Sequence, residues 1–386
     1  MKFLCSQAEL NKSLQLVSRA VVARSTNTML SSILLNADSV TGQLSITSFN
    51  LSLGIKTSLS ASIEASGSVT LPYRLFGEII SRLSNETPIS ICCLKDTDQI
   101  EITSYSGTYQ VRSMPADDFP KLPSVDNGTS IRLEAEALIR GLRGTLFASS
   151  NDEAKQVLTG VHLRFNGQEL ECAATDGHRL AILRFTNAIL NNFSDKNELR
   201  PEDFAVTLPT RSLKELEKVL SSYSSKEDIN LFYDHGQAVF LWPDQVLTCR
   251  TLDGIYPSYQ NLIPETFSQS IVLDRRMLIT ALERVAVLAG QQNNIVTLAC
   301  ESSSNQLHIS ADAPDVGSAS ETMTVSVNGG PIQIAFNVRY LLDGVKAISD
   351  EMIEISCNAS DTPAILTSQA ELYSFTYLIM PVQIRD

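Results

Sequence analysis

Three times along this chain a short alternating strand hands over to a stretch whose apolar residues recur at helical spacing. Lys2-Phe3-Leu4 leads to Leu10, Leu14 and Val17; Ile131-Arg132-Leu133 leads to Leu138, Leu142 and Phe147; Ile271-Val272-Leu273 leads to Leu278, Leu282 and Val285. Steps of four, then three or five, put each trio on one face of a helix, so each copy is predicted as a strand followed by an amphipathic helix. A second pattern also recurs three times. Val69-Thr70-Leu71-Pro72, Val206-Thr207-Leu208-Pro209 and Ile334-Ala335-Phe336-Asn337 are strands that end in a breaker, with helices predicted after them over roughly 73–84, 210–221 and 338–349. Asn suits the N-cap of such a helix, and Pro suits its first turn, where a missing N–H costs nothing. Runs such as Ile89-Ser90-Ile91, Ile229-Asn230-Leu231 and Ile353-Glu354-Ile355 alternate with the period of a strand.

A third signature closes each copy. Val111-Arg112-Ser113-Met114-Pro115 precedes Phe119-Pro120-Lys121-Leu122-Pro123, Cys249-Arg250-Thr251-Leu252 precedes Tyr256-Pro257 and Ile263-Pro264, and Tyr377-Leu378-Ile379-Met380-Pro381 lies near the end. The Pro-rich stretches near 115–128 and 256–268 read as linkers. The first pattern recurs at offsets of 128 and 140 positions and the second at 137 and 128. Three similar domains follow, over 1–124, 125–255 and 256–386. Two helices and about eight strands in each make an α+β protein, with the helices packed on one side of antiparallel sheets. Similar domains joined head to tail can pair their edge strands across each junction, and a head-to-tail contact whose rotation closes makes a ring. The helices would then face the hole.

Charge bears on that expectation. The 386 residues carry a net charge of −13, which by itself argues against a nucleic-acid partner. The distribution is uneven. The six predicted helical segments together sum to +4 and the remainder to −17. Arg140 and Arg143 sit on one of these helices, and Arg275 and Arg276 on another. A mildly positive inner face on an acidic body would tolerate a phosphate backbone without gripping it. The seven cysteines are scattered, without C-x-x-C spacing, and read as reduced thiols of a cytoplasmic protein. No apolar run is long enough for a membrane helix, and the first residues lack the apolar core of a signal peptide.

Ala173-Ala174-Thr175-Asp176-Gly177-His178-Arg179-Leu180-Ala181 resembles the bacterial replicative sliding clamp family, the beta subunit of the DNA polymerase III holoenzyme. Phe119-Pro120-Lys121-Leu122-Pro123, Phe336-Asn337-Val338-Arg339-Tyr340-Leu341-Leu342-Asp343 and Tyr377-Leu378-Ile379-Met380-Pro381 are similar to the same family in the same order. The resemblance spans essentially the whole chain. It implies a homodimer of three-domain protomers closing into a six-domain ring around duplex DNA. A clamp loader would place it there, and it would tether the polymerase III alpha subunit, other polymerases and repair proteins.

The resemblance further implies that partners dock short peptides in a pocket between the second and third domains. Its deeper part would be Leu158, Thr175, Gly177, His178, Arg179, Leu180, Pro257, Leu262, Leu378 and Met380. Its shallower part would include Val157, Gly160, Asn337, Tyr340, Pro381 and Val382. An apolar floor with a few orienting polar groups suits a peptide, and Met adapts to differing side chains. Gln156, Val157, Asn261 and Gln383 depart from the aromatic and basic residues of familiar members, and Arg385-Asp386 extends the tail. The same resemblance implies DNA contacts at Arg24 and Lys155. It also implies a dimer seam where Tyr109 and Val111 meet Val287 and Leu288.

Asp176 and His178 could suggest acid–base chemistry, but strand, Asp-Gly, strand is first a hairpin turn. No nucleophile accompanies them in sequence. His162, His235 and His308 lack metal-ligand spacing, and neither nucleotide-binding glycine motif occurs. No catalytic residue, cofactor or metal is expected.

Overall fold

The computed structural model describes the chain apart from residues 95–96, 126–127, 167–168, 187–202, 223–227, 235, 292, 302–304, 370–372 and 384–386. The first repeat runs β1 (Lys2–Cys5), α1 (Gln7–Val17), β2 (Ser32–Asp38), β3 (Gln43–Phe49), β4 (Leu53–Ser60), β5 (Ser62–Ala65), β6 (Gly67–Pro72), α2 (Tyr73–Arg82), β7 (Ile89–Cys93), β8 (Gln99–Ser104) and β9 (Gly107–Arg112). The second runs β10 (Thr129–Leu133), α3 (Ala135–Thr145), β11 (Gly160–Phe165), β12 (Glu169–Thr175), β13 (Arg179–Thr186), β14 (Phe204–Pro209), α4 (Thr210–Ser222), β15 (Ile229–Tyr233), β16 (Gln237–Trp242) and β17 (Gln245–Arg250). The third runs β18 (Gln269–Asp274), α5 (Arg275–Ala289), β19 (Ile295–Glu301), β20 (Gln306–Ala313), β21 (Gly317–Thr324), β22 (Ser326–Asn328), β23 (Ile332–Asn337), α6 (Val338–Ala347), β24 (Met352–Cys357), β25 (Ala364–Gln369) and β26 (Tyr373–Ile379).

Each repeat divides its strands between two antiparallel sheets, and two of the sheets run on into the next repeat. An eight-stranded sheet is ordered β10-β15-β16-β17-β4-β3-β2-β6, and a nine-stranded one β14-β11-β12-β13-β26-β25-β24-β18-β22. Their joints are β17 on β4, with Leu247 opposite Ile55, and β26 on β13, with Leu378 opposite Leu180. These are equivalent joints: the last strand of one repeat lies against the fourth strand of the repeat before it. The two shorter sheets are β5-β1-β7-β8-β9 and β21-β20-β19-β23. The edge-strand pairing predicted from the repeats is therefore present at both internal junctions.

Packing divides the chain into two compact units. One holds Met1–Ala135 with Lys218–Thr251, the other Glu136–Glu217 with Leu252–Asp386. In the first unit Phe3, Leu10, Leu14, Phe76 and Ile80 are fully buried, and the Gln7 amide donates to the carbonyl of Ile80 at 2.7 Å, tying α1 to the end of α2. In the second unit α5 starts on Asp274, whose carboxylate accepts from the Met277 amide, and α6 starts on Asn337, whose amide oxygen accepts from Arg339 and Tyr340. These caps satisfy donors that have no partner inside the helix.

Two expectations need adjusting. Pro72 occupies the N-cap and Pro209 ends its strand, each one place ahead of the first helical turn. Proline's fixed φ serves the strand end as well as the helix start. The helices after 73 and 338 also stop at Arg82 and Ala347, because Leu83 and Ile348 turn extended and go into the core.

Candidate functional site

The motif Thr175 to Leu180 forms the loop of the β12–β13 hairpin in the second unit, with Thr175 paired to Leu180. One oxygen of Asp176 accepts from the amides of His178 (2.9 Å) and Arg179 (3.1 Å), closing the loop, while Gly177 takes φ +94°, which only glycine adopts without strain. The Thr175 hydroxyl donates to the Arg179 carbonyl at 2.6 Å and accepts from the Gly177 amide at 3.1 Å. The turn read from sequence is thus confirmed, and its side chains are spent on shaping it.

Neighbouring elements lock onto this hairpin. Beyond β26, the Met380 amide donates to the His178 carbonyl at 2.9 Å, and the Val382 amide donates to Ala335 at 2.8 Å. This ties Met380 to the hairpin loop and Val382 to β23, the strand that ends in Asn337, the N-cap of α6. The Tyr377 hydroxyl donates to the Tyr340 carbonyl at 2.7 Å, and the His178 ring lies 6.5 Å from the Tyr340 ring. From below, Ala173, Leu180, Ile182, Tyr256, Tyr259, Ile365 and Leu378 form a buried cluster on which Val157 and Leu158 pack. Leu180 and Leu378 are therefore floor, while Leu262 (57 % exposed) and Met380 (40 % exposed) offer apolar surface to solvent. Pro257 is exposed between the two buried tyrosines. Gly160 is buried, and a side chain there would strike the Leu208 carbonyl, so it shapes the wall from behind.

Arg179 is buried as well. Its guanidinium donates to Asp176 (3.0 Å), Asp343 (2.7 Å) and the Phe147 carbonyl (2.6 Å), and lies 4.2 Å from the centre of the Tyr340 ring. Burial works against its charge, but Asp343, Tyr377 and Asp176 outweigh that and raise its pKa. Beneath the loop, the Tyr256 hydroxyl accepts from the Thr175 amide at 3.1 Å, and its ring stacks on His162 at 4.6 Å. Tyr259 donates to Glu171, which also takes Arg184 at 2.6 Å. Burial holds the Tyr256 and Tyr259 hydroxyls neutral and lowers His162 to about 4. The sequence patterns contain Phe147 on a helix face, Asp343 at the end of the Phe336 motif and Tyr256 in a closing signature, but mark none of them as a site residue, and they do not single out Tyr259 or Glu171.

The cations named for a DNA face are more constrained than their sequence positions suggested. Arg140 pairs with Glu136 (3.5 Å) and Arg143 with Glu217 (2.7 Å). Arg275 donates to the carbonyls of Val345 (2.9 Å) and Lys346 (3.0 Å), capping the C-terminus of α6. Arg24 and Arg276 are exposed. Lys155 is exposed within a short helical turn started by Asp152, with its ammonium 3.9 Å from where a side chain on Gly177 would begin, so it borders the hairpin loop. At the expected seam, Tyr109 and Val287 are exposed and Leu288 is half-buried. Val111 is buried in its own unit, so at its position only backbone is on offer. His235 lies outside the described residues. Among the described residues no group of three or more His, Cys, Asp or Glu side chains is placed to share a metal ion.

Comparison with known proteins places this arrangement. Residues 1–123, 132–258 and 260–383 match in turn the N-terminal, central and C-terminal domains of the DNA polymerase III beta subunit. The beta sliding clamp of Synechococcus elongatus is 48% identical over 387 residues, covering 100% of both chains. The chain belongs to the DNA polymerase III beta subunit family. The beta sliding clamp of a Synechocystis strain is 44% identical, again over 100% of both. Among solved structures of the family, the Bacillus subtilis sliding clamp superposes with a TM-score of 0.90 at 27% identity, covering 100% of each chain. A Pseudomonas aeruginosa sliding clamp bound to griselimycin does so with a TM-score of 0.90 at 26% identity, also over 100% of each.

Proposed function

We propose that two copies of this chain close head to tail into a ring of six repeats that encircles duplex DNA and confers processivity on the replicative polymerase. The support is the repeated sheet joint. At both internal junctions a last strand (β17, β26) lies on a fourth strand (β4, β13), and these four are largely buried. The remaining last strand, β9, and the remaining fourth strand, β21, are sheet edges and mostly exposed. A second copy supplies each with its missing counterpart, and the same operation repeated once closes the assembly. Tyr109 would meet Val287 and Leu288 at that seam, with the Val111 position contributing backbone. The repeats behave as domains over 1–124, 125–255 and 256–386. The exposed Arg24 and Arg276, together with Lys155, Arg140, Arg143 and Arg275, would make weak contacts to phosphate, so that persistence comes from topology rather than affinity.

The hairpin site is the docking pocket for short linear peptides, in the polymerase III alpha subunit, the clamp loader, other polymerases and repair proteins. Its role is tethering, not catalysis. Both Asp176 oxygens are committed to the loop and to Arg179, so this acid is not free to orient His178. Such a protein works in the cytoplasm, beside the chromosome. Sedimentation equilibrium tests the closure: the account expects twice the chain mass, with Ala319→Pro on β21 shifting the protein to monomer. A wild-type monomer would refute it.

A further inference from the structure

Arg179 belongs to the expected peptide-contacting set, yet its guanidinium turns inward, onto Asp176, Asp343 and the Phe147 carbonyl. The guanidinium joins three pieces of the second unit: the hairpin loop through Asp176, the end of the helical stretch after α3 through the Phe147 carbonyl, and α6 through Asp343. Of these acceptors, only Asp343 comes from the helix that carries Tyr340. Its side chain is 43 % exposed while that of Arg179 is 8 % exposed, so the pair sits at the rim with the carboxylate outermost. Tyr340 in turn lies over the guanidinium and next to His178, and its carbonyl takes the Tyr377 hydroxyl.

We propose that Asp343 is a positioning residue of the docking site, which holds the α6 wall against the hairpin through Arg179 and keeps that guanidinium from acidic groups of the docked peptide. The proposal rests on the peptide-docking reading above. Two things follow from the geometry. Without the carboxylate, α6 loses its charged tie to the hairpin and the gap between Tyr340 and His178 widens. Arg179 then also has an unspent donor edge facing the rim, so a carboxylate on the peptide gains a partner that the intact protein denies it.

The test measures fluorescence anisotropy with two labelled peptides, identical in their apolar anchors, one carrying Asp and the other Asn between them. For Asp343→Asn the Asn peptide should bind about tenfold more weakly, the scale of one charge-assisted hydrogen bond. The Asp peptide should lose less, so the ratio of the two affinities should move several-fold toward the acid. Asp343→Glu should restore both affinities most of the way. Wild-type affinity for both peptides in Asp343→Asn overturns the proposal. So does an equal loss for both that Glu does not rescue, since general loosening of α6 would produce that result. Failure of the unaltered protein to bind either peptide would instead overturn the docking reading itself.

Discussion

Replacing Met380 by Ala separates a docking surface from a packing position. The residue follows β26, and its backbone amide, not its side chain, ties it to His178, so the substitution leaves that bond in place. The side chain is 40 % exposed in the free chain. A docked apolar anchor would cover roughly 80 Å² of it, worth about 2 kcal/mol at about 25 cal/mol per Å², or about thirtyfold in Kd. The greater part of the residue is already covered in the free chain, so truncation should also cost folding, on the order of 1–2 kcal/mol, below the cost for a fully buried methionine. The assay pairs peptide anisotropy with urea unfolding of the same variant. Weaker binding together with a stability loss no greater than that fits the account. Unchanged affinity would refute the assignment of Met380 to the site, and a large loss of stability would refute the reading of its exposure.

Other consequences are equally direct. Tyr256→Phe strips the Thr175 amide of its acceptor beneath the hairpin, so urea unfolding should show a loss of about 1–2 kcal/mol and peptide binding should weaken with it; an unchanged midpoint would contradict the role given to that hydroxyl. Burial holds His162 neutral, with a folded pKa of about 4 against the ordinary 6.5, so as pH falls the unfolded chain takes up its proton first. Its contribution to stability is intact above about pH 6.5 and is lost on acidification, on the order of 3 kcal/mol by about pH 4. His162→Gln should flatten that part of the stability profile, and parallel profiles for the two proteins would dismiss the idea.

Much of this was legible along the chain because it depends on local periodicity. The six helices, the strand–breaker junctions and the hairpin at Asp176-Gly177 each follow from the spacing of apolar residues and the chemistry of a few turn residues. What escaped was anything decided by where a long side chain ends. Arg275 reads as a helix-surface cation, but its guanidinium reaches the last carbonyls of α6, more than sixty residues away in sequence. Tyr109 and Val111 share one face of β9 by period two. Which of them the rest of the unit covers is a tertiary fact, and it falls on Val111. Arg179 reads as a pocket residue because it stands in the hairpin motif. Its three acceptors come from Asp176, Phe147 and Asp343, and of these only Asp176 is near it in the chain.

The most direct test of the ring loads the protein, by its clamp loader and ATP, onto nicked circular DNA. It then follows retention through gel filtration before and after a single restriction cut. The account predicts that the protein stays with the circle at a salt concentration that abolishes phosphate contacts and runs off once the circle is linear. Equal loss from both forms, or equal retention on both, would contradict a protein held on DNA by topology.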